Sequence, residues 1–332
     1  MKRNISIKNY QSILDVYDTQ LAIKLVKDTF QKKLAKELEL KRVSAPLFID
    51  PLTGLNDNLN GYEEAVSFEV NEDHKKLEIV QSLAKWKRHA LYKYKASGIY
   101  TDMNAIRPFE DLDNIHSLYV DQWDWEKVIV KEERNEEYLK NTVNKIYNAL
   151  KETSVVVKER FPSLKYELPN EITFVTTEEL EDLYPNLSRK KREEEIVKKY
   201  GAVFLMHIGR RLKDGKSHDG RAADYDDWSL NGDLLVYYDV LNIALELSSM
   251  GIRVDKESLI SQLKDKEEES KIKLPYHQDI INERLPLTIG GGIGQSRICL
   301  FLLRKAHIGE VQVSYWSNED IEFFKSLNIH LL

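Results

Sequence analysis

Four of the chain's 14 glycines fall in one window, Gly290-Gly-Gly-Ile-Gly294, with Gln295-Ser-Arg297 directly behind it. Such a cluster lets backbone approach a flat or anionic ligand closely. An Arg at the start of the apolar run Ile298 to Leu303 adds positive charge to a helix N-terminus. The chemistry suited to that pairing is polyphosphate binding, with Arg297 as a planar fork for phosphate oxygens. Neither common phosphate loop fits. A Walker loop requires GxxxxGK[ST], and no Lys-Ser/Thr pair follows these glycines. A dinucleotide fingerprint requires GxGxxG/A, and counting from Gly290 or Gly292 puts Gln295 or Arg297 at the last position, with too few residues behind for a βαβ unit. Cys299, the single cysteine, sits in the apolar run and reads as a buried, inert thiol, which removes intrachain disulfides and multi-cysteine metal sites. The eight His show no HExxH or other ligand spacing.

A second feature is Ala105-Ile-Arg107-Pro-Phe-Glu110, an Arg with a Glu three on, at the end of a strand-like run and before a loop. It resembles the second signature of class II aminoacyl-tRNA synthetases. The helix, strand and Pro46 upstream resemble the first signature and Gly290 to Arg297 the third, in the class II order. Further stretches narrow the resemblance: Ser82-Leu-Ala-Lys-Trp-Lys-Arg88, Val120-Asp-Gln-Trp-Asp-Trp-Glu126, Asp224-Tyr-Asp-Asp-Trp228 and Glu246-Leu-Ser-Ser-Met-Gly-Ile-Arg-Val-Asp255. Together they resemble the asparagine synthetase A family of ammonia-dependent aspartate ligases, over nearly the whole chain. Trp228-Ser-Leu-Asn-Gly-Asp233 reads as a loop shorter than in some relatives.

The resemblance implies an α+β, class II aminoacyl-tRNA synthetase-like catalytic fold, a mainly antiparallel sheet flanked by helices. It also implies ATP-dependent amidation of L-aspartate by ammonia through β-aspartyl-AMP, releasing AMP and pyrophosphate. Aspartate's β-carboxylate and the ATP α-phosphate repel until cations stand between them. Arg107 is expected to bridge the two, Arg297 to hold the outer phosphates, and Glu110, Gly292 and Gly294 to line the ATP site. Glu246 and Asp233 resemble the acidic residues that hold Mg²⁺, a hard cation needing oxygen ligands. For the amino acid, Lys87 and Gln122 are the candidates on the carboxylate side and Asp124 and Ser82 on the ammonium side, with Arg221 and Ser249 completing the substrate set. Along a strand, Gln122 and Asp124 share one face while Trp123 takes the other and packs in the core. Asp57, in the turn-rich Gly54-Leu-Asn-Asp-Asn-Leu-Asn-Gly61, or Asp226 takes the ammonium proton, and sequence does not rank them.

These side chains need a scaffold. Leu21, Leu25, Val26, Phe30, Leu34 and Leu38 recur at helical spacing over roughly residues 15 to 39. Val43-Ser-Ala-Pro-Leu-Phe-Ile is β-prone with a Pro that removes a ladder donor, which predicts an edge or interface strand. In the superfamily this first-signature element builds a two-fold interface, implying a homodimer. A second amphipathic stretch is expected after Trp125, through Val128, Leu139, Val143, Ile146 and Leu150. Strands are expected at Glu171 to Val175, Ala202 to Ile208, Asp233 to Tyr238 and Ile252 to Val254. The mixed-charge runs from Lys190 and from Lys264 predict solvated helix faces.

Composition agrees with a globular enzyme: 332 residues, 42% hydrophobic and 31% charged. The net charge of −6 argues against a nucleic-acid scaffold. With no repeat, low-complexity segment or Pro/Gly/Ser-rich linker, a single catalytic domain over residues 1–332 is expected. No apolar run approaches the ~18 residues that span a bilayer, and the start has no apolar stretch behind its basic residues, which predicts a cytoplasmic protein without membrane contact. The competing reading is an aspartyl-tRNA synthetase-like aminoacylating enzyme. Against it, the first-signature helix begins near residue 15, which leaves no room for an anticodon-binding barrel.

Overall fold

The structure is a computed structural model and describes residues 10–57, 59 and 64–332. The first helix, α1 (Val16–Leu38), is capped by Asp15, whose carboxylate accepts from the Asp18 amide, and ends where Glu39 turns left-handed at φ 60°. Its buried stripe is Ala22, Val26, Phe30, Leu34 and Leu38, a strict four-residue step. Leu21, placed on that stripe by sequence, is exposed because a four-residue step beginning at Ala22 leaves it on the outer face.

The chain then lays down β1 (Lys41–Arg42), β2 (Phe48–Ile49), β3 (Ser67–Glu69), β4 (Lys76–Ile79), α2 (Ala84–Tyr94), β5 (Gly98–Ile106) and β6 (Tyr119–Val128). The amphipathic stretch expected after Trp125 starts later, as α3 (Glu136–Arg160), because Trp125 to Val128 still belong to β6. There follow β7 (Thr173–Thr176), α4 (Thr177–Leu183), α5 (Arg189–Tyr200), β8 (Ala202–Met206), β9 (Asp226–Tyr238), β10 (Ile243–Arg253), α6 (Lys256–Asp265), α7 (Pro275–Ile281), β11 (Thr288–Gly294), α8 (Gln295–Leu302) and α9 (Asn318–Ser326). Two sequence readings change. The run from Lys264 leaves the helix at Asp265 rather than continuing it, and Trp228 to Asp233 is the body of β9, not a loop.

Eight strands form one sheet in the order β1-β5-β6-β11-β10-β9-β8-β7, and β2-β4-β3 form a small second sheet. Only the outermost pairs of the large sheet, β1 with β5 and β7 with β8, are parallel. Pro46 lies between β1 and β2, and of the β-prone stretch from Val43 to Ile49 only Phe48 and Ile49 form a strand, at the edge of the small sheet. One face of the large sheet sends Trp123, Trp125, Met250, Ile252, Ile289 and Ile293 into the main core with α1, α3 and α8; Phe30 and Trp123 stack at 4.8 Å. The opposite face of β6, β10 and β11 carries the polar residues. Among the described residues, no helix is long and apolar enough to cross a membrane.

A register shift in β10 sets what faces the cleft. Glu246 pairs with Leu235 and Ser248 with Leu234, leaving Leu247 as an extra residue. Leu245, Leu247, Met250 and Ile252 are buried, so the bulge lets Glu246, Ser249 and Arg253 turn away from the core although their spacing breaks alternation.

Candidate active site

A cleft of about 360 Å³ opens on the polar face of the sheet. Five elements supply most of its walls. The end of β5 passes Arg107 and Glu110 to the rim, β6 contributes Gln122 and Asp124, β10 contributes Glu246 and Ser249, and β11 with α8 contributes Gly292, Gly294 and Arg297. Asp57, Ser82 and Lys87 line it from the other side, and Arg221 and Asp226 from the segment entering β9. Asp233 alone of the candidates lies outside the lining residues.

The glycines make room for particular side chains. A Cβ on Gly292 would stand 2.4 Å from Gln122 Oε1, and one on Gly290 would stand 1.9 Å from Glu126 Oε2. The Gly-rich segment is therefore a strand that must be flat against its neighbour β6, and it ends by delivering Arg297 into the first turn of α8.

Several charges are already paired inside the protein. Lys87 Nζ donates to Asp124 in a close contact and to the carbonyl of Gly291 at 2.9 Å. Burial pushes its ammonium downward, with Asp124 pulling the other way. Arg253 reaches Glu126 Oε2 at 2.7 Å and also contacts Asp226, while Thr288 Oγ1 donates to Glu126 at 2.7 Å. Burial works against the Glu126 charge, but Arg253 holds its carboxyl below the usual range. Burial raises Asp226, and Arg253 only partly offsets it. Arg221 and Asp233 form another close pair.

Asp57 is different. It is 2% exposed, its Oδ1 accepts from the Leu59 amide at 3.1 Å, and its Oδ2 has no hydrogen-bond partner. Burial pushes its carboxyl up to about 6, against the nearby Lys85 charge. Arg107 touches the protein weakly, donating to the Gln81 carbonyl at 3.5 Å, and its buried Nε has no partner. Arg297 donates to the Glu246 carbonyl at 3.1 Å, with the Glu246 carboxylate 3.5 Å from the same nitrogen. Burial opposes the Glu246 charge, but Arg297 and Arg221 hold its carboxyl low.

Among the described residues, no three His, Cys, Asp or Glu side chains gather into a metal cage. A phosphate-bound Mg²⁺ needs only one or two protein carboxylates, and the available set fits it: Glu246 reaches the cleft, and Asp233 carries a buried Oδ1 without a partner.

The profile of the aspartate-ammonia ligase family matches residues 17–328. The chain belongs to that family. It is 60% identical over 326 residues to an aspartate–ammonia ligase of Fusobacterium nucleatum, covering 97% of this chain and 99% of that one. To an aspartate–ammonia ligase of Clostridium perfringens it is 56% identical over 329 residues, 98% of each. Among solved structures it is similar to the asparaginyl-tRNA synthetase of Entamoeba histolytica bound to asparaginyl-adenylate, with a TM-score of 0.66 at 14% identity, covering 94% of this chain and 73% of that one. The synthetase of Pyrococcus horikoshii, also with asparaginyl-adenylate, gives 0.64 at 13%, covering 89% and 68%. At such identities the likeness establishes the fold, which is class II aminoacyl-tRNA synthetase-like and α+β, as the sequence predicted.

Sequence reasoning passed over Arg253, His116 and the buried Lys85. Arg253 binds Glu126, 127 positions away, and nothing local signals such a pair. His116 faces the cleft in a turn where Asp113 accepts from it at 2.8 Å. Its position nine residues after Arg107 was the one available hint.

Proposed function

We propose that the enzyme joins L-aspartate and ammonia at the expense of ATP, by way of an enzyme-held β-aspartyl adenylate, giving L-asparagine, AMP and pyrophosphate. The observation that carries this reading is the convergence of Arg107, Arg297 and Glu246 on one cleft with Ser82, Lys87, Gln122 and Asp124. Arg107, with unspent donors, screens the α-phosphate from the approaching β-carboxylate; Arg297 grips the outer phosphates. Glu110, Gly292 and Gly294 shape the nucleotide site, and Arg221 and Ser249 close the amino-acid side. Glu246, with Asp233 behind it, would hold Mg²⁺, which neutralises phosphate charge when bound. Lys87 and Asp124, paired with each other, offer a dipole that an amino acid's carboxylate and ammonium can each meet.

We assign the ammonium proton to Asp57 rather than Asp226. Asp226 is spoken for by Arg253, whereas Asp57 keeps an unpaired oxygen beside the cleft and a carboxyl that burial pushes up to about 6. The aminoacylating alternative is set aside, since the tRNA synthetases it resembles in structure share 12–16% identity with it while relatives at 54–60% are aspartate–ammonia ligases. The reading carries with it a single catalytic domain, a homodimer, a cytoplasmic setting and no nucleic-acid partner. Product analysis tests it. ATP, aspartate and ammonium should yield AMP, pyrophosphate and asparagine, with an ammonium requirement that falls as pH rises from about 7 toward 9 because NH₃ is the nucleophile. Glutamine should not replace ammonium, because the only thiol is buried and pushed up to about 12. Formation of ADP, or asparagine made as fast from glutamine, would overturn it.

A further inference from the structure

Behind Asp57 lies a buried ionisable cluster that the reaction as described leaves unused. Lys85 Nζ, from α2, and His277 Nε2, from α7, both meet Asp224 Oδ2 at 2.9 Å. All three side chains are at least nine-tenths buried, His277 completely. Asp224 beside Lys85 is an ionised acceptor, its carboxyl held far below the usual range despite burial, so the His277 Nε2 must carry the hydrogen. In the neutral ring the lone pair is then on Nδ1, which is buried and has no partner. That atom faces the Asp57 loop: a Cβ on Gly54, three residues before Asp57, would stand 3.5 Å from it. Asp57 Oδ2 and Asp224 Oδ1 are likewise buried and unpartnered. Asp57 feels the charges of both Lys85 and Asp224, so its orphan atom lies within electrostatic reach of the other two, and buried orphan atoms of this kind call for a hydrogen-bonding path.

Proton arithmetic gives that path a task, on the reading of the function proposed above. Ammonium must lose one proton before its nitrogen lone pair can attack the β-carbonyl carbon. As the C–N bond forms and the C–O bond to phosphorus breaks, AMP leaves with the electron pair, and the –NH₃⁺ of the intermediate must shed a second proton to become the amide. Two protons leave per turnover, and a carboxylate holds one. With the adenylate filling the cleft, Asp57 has little direct access to water.

We infer that Asp224 and His277 form a proton relay behind Asp57, in which His277 Nδ1 takes the first proton from Asp57 over a bridging water and Lys85 anchors Asp224. Asp57 is thereby a carboxylate again for the second proton. Asp224 and Lys85 are positioning residues, as Asp224 fixes the ring and its tautomer. The charged and titratable groups around the relay are Lys85 from α2, Arg107 from the end of β5, Tyr225 beside Asp224, Lys271 before α7, and Tyr276, whose ring meets His277 edge-on at 5.5 Å.

The test uses His277→Gln, in which the amide can still donate to Asp224 but no base is left. Two rates are compared with wild type: aspartate-dependent exchange of pyrophosphate into ATP, which needs no ammonia, and asparagine formation from ammonium. Exchange should stay within about twofold, while asparagine formation drops on the order of 10²-fold at pH 7. The deficit should shrink toward pH 9, where more of the nitrogen arrives as NH₃ with one proton fewer to remove. Parallel loss of both rates, a deficit independent of pH, or no loss at all overturns the relay. Absence of exchange in the wild type would instead overturn the proposed function. If the variant does not fold, ¹⁵N spectra of the wild-type histidine rings decide: the relay requires His277 protonated on Nε2 and bare on Nδ1, and the opposite tautomer overturns it.

Discussion

Asp57 shows how far one residue's environment departs from what its type suggests. Its carboxyl is raised by burial, so its ionisation opposes folding: relative to an unfolded chain the molecule is favoured below the ordinary carboxylate pKa, and that advantage is lost as pH rises through about 6. Asp57→Asn should therefore gain on the order of 3 kcal/mol in denaturation at pH 8 and nearly nothing at pH 4, while asparagine formation collapses. Equal stabilities at both pH values would remove the buried-base role. The two arginines proposed to face phosphate make the opposite case, since geometry would outweigh charge there. Arg107→Lys and Arg297→Lys should each lose on the order of 10²-fold in turnover, because an ammonium offers a point where phosphate needs a fork; steady-state rates near wild type would reassign them. The place of Arg297 at the cleft was legible from type and spacing and that of Gln122 and Asp124 from strand alternation, whereas Arg107 was reached through the family resemblance. The partners that immobilise the site were not: Lys85 meets Asp224 across 139 positions and Arg88 donates to the Pro286 carbonyl across 198, and such contacts leave no periodic trace.

At the level of elements, the Gly-rich strand reads differently in structure than in sequence. The run suggested a loop or strand close to phosphate. Its spacing is imposed by β6, whose Gln122 and Glu126 occupy the volume where side chains of β11 would stand. Gly292→Ala should push Gln122 aside and raise the aspartate requirement more than the ATP requirement, by roughly tenfold, with little change in unfolding temperature. Equal changes in both KM values would move Gln122 out of the amino-acid pocket. The long helix α1, the body of α3, the strand β8 and the second half of β9 were legible because their apolar periods are regular, whereas the first half of β9 read as a loop. Glu246, Ser249 and Arg253 were harder to place on one face, because the extra residue Leu247 breaks the alternation from which a face is read.

For the whole molecule, the exposed apolar surface bears on assembly. Val16, Tyr17 and Leu21 on α1, with Phe48 and Phe68 stacked edge-on at 5.3 Å in the small sheet, stand open to solvent. Exposed apolar surface of this kind can be buried against a second copy, which is what the proposed homodimer requires. Sedimentation at micromolar concentration should give a dimer, and Tyr17→Glu with Leu21→Glu should shift it toward monomer; a wild-type monomer under those conditions refutes the assembly.

The burial of Cys299 also makes the chain a clean optical host. With that thiol 0% exposed and largely protonated, maleimide reagents have nothing to find on the native protein. The Lys213 side chain, 71% exposed in the segment leading to Arg221, makes a surface ion pair with Asp182 whose loss costs little, while its amide, which a substitution keeps, donates to Glu181 at 3.1 Å. A single dye carried by Lys213→Cys would report, from one spectroscopic address and without background, how the wall of the cleft that holds Arg221 rearranges as each substrate arrives in turn.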